Sequence, residues 1–474
     1  MPPEGPGEAV AKLTARARDD LARIAHPRQP WLEPRLGPDE APALDVLIVG
    51  SGQSGIAIAS ALLRAQVSNI LVVDRAQRGH EGPWLTYARM HTLRSPKDYT
   101  GPDLDLPSLG YQAWHEARYG EASWRDLDLI SREDWAAYLD WVRDAVGVPV
   151  RNETEVSEIA PASNGLLAVH FADGAVQFAR KVVLATGQEG AGSWWMPAFV
   201  AALPERFRAH AADAIDFSKL RGRTVAVLGA GASAFDNAAM ALEAGAATVT
   251  LFCRRPEPQV VQPYRWLTFA GFLRHLGDLD DAWRWRFMSR VLGMREGFPQ
   301  STYDRCARHE NFRMLCAAPW TGAHVSDNAV AIDTPSGRYA ADFLICGTGI
   351  DVEFSRRPEL RRVADNIARW SDRYDPPEAE RDERLGRYPY LGPDFALLPR
   401  RAGLSDWMSD IHLFNIAATM SFGPSGSSIN AMTTSVPKLV NGLTRGLFEG
   451  DLERHWQSLQ RYDVPQAVLR GNDP

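Results

Sequence analysis

The chain has 474 residues, enough for about three folding units at roughly 150 residues each. With 45% hydrophobic and 23% charged residues it is neither a disordered chain nor a coiled coil, and its formal charge of −7 offers no cationic excess for a nucleic-acid partner. Four scattered cysteines, Cys253, Cys306, Cys316 and Cys346, form no CxxC, which counts against a disulfide framework, zinc knuckles and a thioredoxin-type dithiol. Buried structural thiols and no metal site are expected.

The opening MPPEGPGEAV has no cationic segment followed by an apolar stretch, so a cytoplasmic location is expected. Within an N-terminal extension, residues 1–41, Val10, Leu13, Ala17, Leu21 and Ile24 recur at spacings of three and four. That periodicity predicts an amphipathic helix packed on the body. Residues 46–63 carry no charge and reach the length of a membrane span. They read VLIVGSGQSGIAIASALL, however: a β-branched run, three glycines and an Ala/Leu/Ile-rich stretch, which is strand, turn and helix. No membrane span is expected.

Gly50-Ser51-Gly52-Gln53-Ser54-Gly55 follows the predicted strand 45–49 and opens a predicted helix. Gly50 permits the tight turn, Gly52 lets the backbone approach a pyrophosphate, and Gly55 lets helix and strand lie close. The helix start at Gln53 and Ser54 offers free amides and a positive dipole end to phosphates. A second predicted strand, 69–73, ends in Asp74, 22 residues past Gly52, where an acid accepts hydrogen bonds from ribose hydroxyls. This is a dinucleotide fingerprint, and its acid marks it as the FAD site.

Gly82-Pro83-Trp84 and Leu93-Arg94-Ser95-Pro96-Lys97 come next, and VVLATG then ends a predicted strand in Thr186-Gly187. The strand 224–228 (TVAVL) runs into Gly229-Ala230-Gly231-Ala232-Ser233-Ala234, the GxGxxA variant, with a helix expected to about Glu243. Its following strand, 248–252, ends in Cys253-Arg254-Arg255 rather than an acid. Arginine there suits a 2′-phosphate through charge-assisted hydrogen bonds, so NADPH is favoured over NADH. DFLICGTG, at 342–349, repeats the strand ending in Thr348-Gly349. Phe422-Gly423-Pro424-Ser425-Gly426-Ser427-Ser428 leads into a helix, with Ser427 or Ser428 as possible N-cap. Two unlike nucleotide sites in one chain imply electron transfer from one cofactor to the other.

From Asp45 to Gly446 these motifs resemble the flavin-dependent, NADPH-using class B monooxygenases: flavin-containing monooxygenases, N-hydroxylases and Baeyer-Villiger monooxygenases. The resemblance implies an α/β fold of two doubly wound, Rossmann-like domains, the NADPH domain inserted in the FAD domain. It places Trp84 beside the flavin and the helix behind Gly423 and Ser425 with its positive end towards the flavin pyrimidine. Arg94 and Ser95 stand where flavin-containing monooxygenases carry a Thr-Asn pair, so Trp84, Arg94 and Ser95 are the candidate catalytic residues. His210 matches the histidine of the linker motif, but Pro204 and Arg206 replace its aromatic and glycine, which counts against the typical Baeyer-Villiger branch; a solvated linker residue is the other reading of His210.

The expected organisation is an FAD domain at 42–190 and 335–446, an NADPH domain at 191–334 and a C-terminal tail at 447–474. An aromatic, mostly helical insertion at 256–320 is either core or a cap over the flavin cleft, and 369–393 is expected as a surface loop. The implied reaction begins with hydride transfer from NADPH to FAD. Oxygen transfer from a flavin hydroperoxide to a soft nucleophile of a small molecule follows, with an amine nitrogen first and sulfur second. Dioxygen and that small molecule are the expected partners. A flavin reductase without oxygen transfer, ketone oxidation and a non-catalytic NADP sensor are the alternatives.

Overall fold

Short Val/Ile/Leu runs without polar alternation make strands buried on both faces, and each is followed by a helix that covers one face. The computed structural model describes residues 5–24, 27–99, 101–426 and 428–467. The strands before the first crossing are β1 (Leu44–Val49), β2 (Ile70–Val73), β3 (Val150–Arg151), β4 (Val156–Pro161), β5 (Leu167–Phe171) and β6 (Val176–Leu184). Then come β7 (Gly192–Trp194), β8 (Arg208–His210), β9 (Thr224–Leu228), β10 (Thr248–Phe252) and β11 (Phe312–Leu315). The last are β12 (Gly322–Ser326), β13 (Ala329–Thr334), β14 (Gly337–Ala341), β15 (Phe343–Cys346), β16 (Ile350–Val352) and β17 (Ile411–Leu413).

The first sheet has the order β3-β2-β1-β6-β5-β4, with β17 also pairing β6. Its β3, β2, β1, β6 and β17 are parallel, while β4, β5 and β6 form an antiparallel meander. The second sheet, β11-β10-β9-β15-β8, is parallel throughout. An antiparallel triplet, β12-β13-β14, buries Val330 and Ile332 against Phe252 and Leu344 of the second sheet. Leu47, Ile48, Val182 and Val183 of the first sheet are wholly buried, each worth about 1.5–3 kcal/mol of transfer free energy. The chain leaves the first sheet through β7 and returns through β16, and these two crossings pair with each other.

That pairing corrects the expected return point. β14 and β15 belong with the second body, so the chain crosses back at β16 and not at 335. The insertion is likewise shorter than 256–320, because Phe312–Leu315 is a strand of the second sheet, bonded to β10. Its helices, Pro263–Trp266, Ala270–His275 and Asp281–Met294, match the helical reading of this stretch. Residues 369–393 are only in part the expected surface loop: positions such as Ser371, Arg373 and Glu378 are exposed, but others enter the core. Trp370 is fully buried and stacks with Trp285, Tyr374 and Tyr390, while the Arg284 guanidinium lies 4.9 Å over its ring. Prolines and charges masked that core.

At the C-terminus the helix Met432–Glu449 runs past 446, and Asp451 beyond it is buried between Arg35 and Arg180, each 2.8 Å away. The extension helix Pro6–Arg23 buries Ala17 and packs Leu21 beside Leu109 and Ala145. Among the described residues no helix is long and apolar enough to cross a membrane, and no cluster of metal-binding side chains occurs. Three cysteines are buried and Cys316 is half-buried; burial pushes the thiols of Cys306 and Cys346 up to about 12, where neither forms a thiolate at neutral pH.

Candidate functional site

Both glycine fingerprints lie at the carboxyl ends of parallel strands, where open α/β sheets bind ligands. Gly50 has φ +102°, and a Cβ on it would sit 2.4 Å from the Ala185 carbonyl oxygen. A Cβ on Gly55 would sit 1.9 Å from the Gly50 oxygen. Gly52 differs: the atom nearest to its would-be Cβ is 3.9 Å away, on Gly82, so the loop leaves space on its outer side. The helix Gln53–Arg64 has no side-chain cap and no acid in its first turn. Its first amides, at Gln53 and Ser54, are therefore available to an anion.

The second loop repeats this. Gly229 has φ +119° with its would-be Cβ 2.3 Å from the Gly347 oxygen, whereas Gly231 faces open space. The helix Ala232–Glu243, opening with Ala232, Ser233 and Ala234, again lacks a side-chain cap and an early acid. By contrast the helix Arg132–Val146, which belongs to neither loop, is capped by the Ser131 hydroxyl and carries Glu133 and Asp134 in its first turn.

Asp74 accepts hydrogen bonds from the Ser51 amide (2.7 Å), the Ser51 hydroxyl (3.3 Å) and the Ala76 amide (2.8 Å). These fix the carboxylate across the loop, and Oδ1, which accepts only from Ala76, keeps capacity for a further donor. At the second strand end the two arginines part company. Arg255 donates to the carbonyls of Met294 (3.0 Å) and Gly293 (3.1 Å), closing the end of the helix Asp281–Met294, while Arg254 is exposed.

The Thr-Gly pairs are fastened differently. Thr186 accepts from the buried Asn415 amide at 3.0 Å, and Gly187 has φ +63°. Thr348 donates to the Trp195 carbonyl at the crossing, and Gly349 has φ +82°. Trp84 is 8% exposed, lies on the turn of Gly82 facing Gly52, and its buried Nε1 has no partner among the described residues. An orphaned donor beside an open cradle fits a bound flavin nucleotide.

Arg94 and Ser95 separate. Ser95 makes no hydrogen bond among the described residues, whereas Arg94, 35% exposed, reaches the second body and pairs with Asp236 at 2.8 Å. Asp236 also accepts from Thr302 (3.2 Å) and Arg305 (3.4 Å). This junction carboxylate was missed in the sequence, although a polar Asp-Asn pair inside the otherwise apolar ASAFDNAAMALE is its signal. The Ser425 hydroxyl donates to the Phe422 carbonyl at 2.6 Å, and Gly423, φ +69°, sits under Leu276 and Phe272 of the insertion. Of the two expected N-caps, Ser428 makes no side-chain cap and Ser427 lies outside the described residues. His210 is not a solvated linker: it is 3% exposed, stacks on Trp194 of the crossing at 5.0 Å, and accepts from the Ala212 amide. Burial holds its imidazole below the usual histidine range.

Two uncapped glycine cradles at the ends of parallel strands in two sheets, joined by a paired crossing, define an α/β fold of two Rossmann-like domains. Comparison with known proteins agrees. The pyridine nucleotide-disulphide oxidoreductase family model matches residues 47–269. The chain is 39% identical over 468 residues to the FAD-dependent urate hydroxylase of Xanthomonas campestris pv. campestris, covering 98% of this chain and 99% of that one. In fold it is similar to the ornithine N-hydroxylase of Kutzneria sp. 744 (TM-score 0.66, 17% identity, 85% of this chain and 100% of that one). It is also similar to the L-lysine 6-monooxygenase of Pseudomonas syringae (TM-score 0.65, 19% identity, 85% and 99%). The chain belongs to the class B flavin monooxygenase group, and is an FAD-dependent hydroxylase of that group.

Proposed function

We propose that the protein holds FAD in the first cradle, takes NADPH in the second, and hydroxylates a ring carbon of urate or a closely related oxidised purine. The observation that carries the substrate is the 39% identity, over nearly the full length of both chains, with a urate hydroxylase. FAD, when bound, supplies the hydride acceptor and the activation of dioxygen. The residues of this chain then have four tasks. Amides at Gln53 and Ser54 meet the FAD pyrophosphate, and Asp74, steadied by Ser51 and Ala76, accepts from the ribose. Arg254, free of the helix-closing contacts that hold Arg255, meets the 2′-phosphate of NADPH. Phe272 and Leu276, packed on the Gly423 turn, keep water from that side of the cleft. Arg94, with Asp236 fixing one of its nitrogens, offers a cation at the junction of the two bodies.

The remaining N–H groups of Arg94 suit the carbonyl oxygens of an oxidised purine. N-hydroxylation of a primary amine is the second reading, supported by the fold shared with ornithine and lysine hydroxylases. One assay separates them. Purified protein given NADPH, oxygen and either urate, ornithine, lysine or cadaverine is followed for substrate loss, NADPH consumption and peroxide. Urate loss matched one-for-one by NADPH supports the first reading and a hydroxylamine product the second. Peroxide equal to NADPH with every compound would leave a flavin reductase.

A further inference from the structure

The flavin-side residue Trp84 is the first of a row of aromatic rings that leads away from the nucleotide loops to the surface. Its ring centroid lies 6.3 Å from that of Trp135, whose indole donates to Gln53 of the first glycine loop. Trp135 is 5.8 Å from Tyr111, Tyr111 is 5.6 Å from Trp114, and Trp114 is 6.3 Å from Tyr119. Trp135, Tyr111 and Trp114 are at most 2% exposed, whereas Tyr119 is 44% exposed. Neighbouring rings at such spacing are in or near van der Waals contact, and indoles and phenols are the most easily oxidised side chains of a protein that lacks reactive thiolates.

Packing alone accounts for an aromatic core, but not for what surrounds its ends. The Tyr119 hydroxyl donates to the Asp134 carboxylate at 2.6 Å and accepts from the Arg118 guanidinium at 2.9 Å. An oxidised phenol is a strong acid, so Asp134 stands ready to take its proton and leave a neutral ring. Tyr111, midway, has the imidazole Nδ1 of His115 at 3.4 Å from its hydroxyl, and burial keeps that imidazole neutral and able to accept. Charges then bias the route. Lys97 lies 4.7 Å over the ring of Trp124, which branches from Tyr111, and Arg118 lies 5.3 Å over Trp114. A neighbouring cation disfavours a positive ring. Neither Trp124 nor Trp114 is thereby a resting place for a positive ring; Arg118 also lies 5.4 Å over Tyr119, but Tyr119 loses its proton to Asp134 and stays neutral, which makes it the terminus.

We propose that Trp84, Trp135, Tyr111, Trp114 and Tyr119 form a one-electron conduit that carries oxidising equivalents from the flavin side to the protein surface. The inference rests on the placement of FAD at the first cradle. When turnover misses its substrate, an oxygen-derived radical oxidant at the flavin takes one electron from Trp84 and a proton from solvent. The electron is replaced ring by ring from Tyr119, whose phenolic proton passes to Asp134 and on to solvent. A thiol-class reductant at the surface returns one hydrogen atom to Tyr119, so electrons and protons balance and the site's own residues escape oxidation.

Anaerobic flash photolysis of the flavin-loaded full-length protein tests this, with the photoexcited oxidised flavin as the oxidant. The parent is expected to show a long-lived tyrosyl absorption together with one-electron-reduced flavin. In Tyr119→Phe the long-lived signal is lost, because a tryptophan cation recombines, and Trp135→Phe loses it at an earlier step. Asp134→Asn keeps the fold and the flavin but loses the tyrosyl signal. Flavin absorbance and circular dichroism of each sample are recorded first. An unchanged long-lived signal in Tyr119→Phe, or a flavin-loaded parent without any tyrosyl signal, overturns the conduit. A folded parent that retains no flavin overturns the cradle assignment instead, and the conduit with it.

Discussion

The two glycine loops, GSGQSG and GAGASA, are one design built twice, and one of their differences is where a methyl group stands beside the turn. In the first loop the helix offers Gly55 and the neighbouring strand end offers Ala185; in the second the helix offers Ala234 and the strand end offers Gly347. A Cβ on Gly347 would lie 2.6 Å from that of Ala234 and 2.8 Å from its Cα, so the helix start holds that position to glycine. In the first loop the close contact is a different one, between Gly55 and the Gly50 carbonyl. The chemical difference we propose between the two sites lies at the end of the next strand, where Asp74 is bonded to the first loop and the exposed Arg254 follows the strand beside the second. On the proposed reading, similar loops make the two cradles and one charge at the edge of each selects its nucleotide.

The sharpest way to break the comparison is to place side chains on different glycines of the same loop. Gly52→Val adds atoms into open space, so the chain is expected to fold with unchanged circular dichroism yet emerge colourless, with most of its flavin absorbance gone. Gly55→Ala drives a methyl into the Gly50 carbonyl and should cost about 3 kcal/mol or more, read as a drop in the denaturation midpoint. Yellow protein with full occupancy after Gly52→Val would remove the first cradle from the site.

Next in size is the charge at the second loop. Arg254→Ala should lower the preference for NADPH over NADH by roughly ten- to hundredfold, the value of one charge-assisted contact of about 1.5–3 kcal/mol. Arg255→Ala should leave the preference in place and loosen the end of the helix Asp281–Met294. Stopped-flow flavin reduction with both nucleotides measures it, and a parent that uses the two equally would refute the assignment.

The methyl exchange itself gives a smaller effect. Gly347→Ala is expected to destabilise by about 1–3 kcal/mol, and only part of that is recovered when Ala234→Gly is added, because the Ala234 Cα would still lie 2.8 Å from the new methyl. Additive losses in the double variant, measured by urea denaturation, would show that the two positions do not share one space.

Much of this was legible in the sequence because glycine spacing, strand runs and strand-end charges are local. The loops, the uncapped helices and the two Thr-Gly strand ends all follow from residues within a few positions of one another. The return point at β16, the β11 strand and the burial of Trp370 were not legible, since each depends on pairing with residues far along the chain: β7, β10 and the Trp285 helix. Arg94 was read only as standing in the place of a family Thr-Asn pair, because its partner, Asp236, lies 142 residues away. Arg254 and Arg255 looked equivalent until the carbonyls of Gly293 and Met294 claimed one of them.

The last difference between the two bodies concerns pH. β17 joins β6 as β8 joins β15, and in that register Leu413 opposite Leu184 corresponds to His210 opposite Cys346. A hydrocarbon thus fills the position in the first sheet and an imidazole in the second, where it stacks on the crossing residue Trp194. Burial lowers the folded affinity of His210 for a proton below the ordinary value of 6.5. As pH falls below about 6.5 the unfolded chain gains a proton that the folded imidazole refuses, so its contribution to stability is present above that pH and declines beneath it. His412, buried beside Leu413, is shifted in the same direction, and its contribution is common to parent and variant. The parent should therefore lose stability relative to His210→Leu as the buffer is taken from pH 7 to 5, the gap in thermal midpoint moving by a few degrees at most. A gap that stays constant across this range would mean that the imidazole titrates alike in the folded and unfolded chains, and that the crossing is as indifferent to protons as its apolar counterpart.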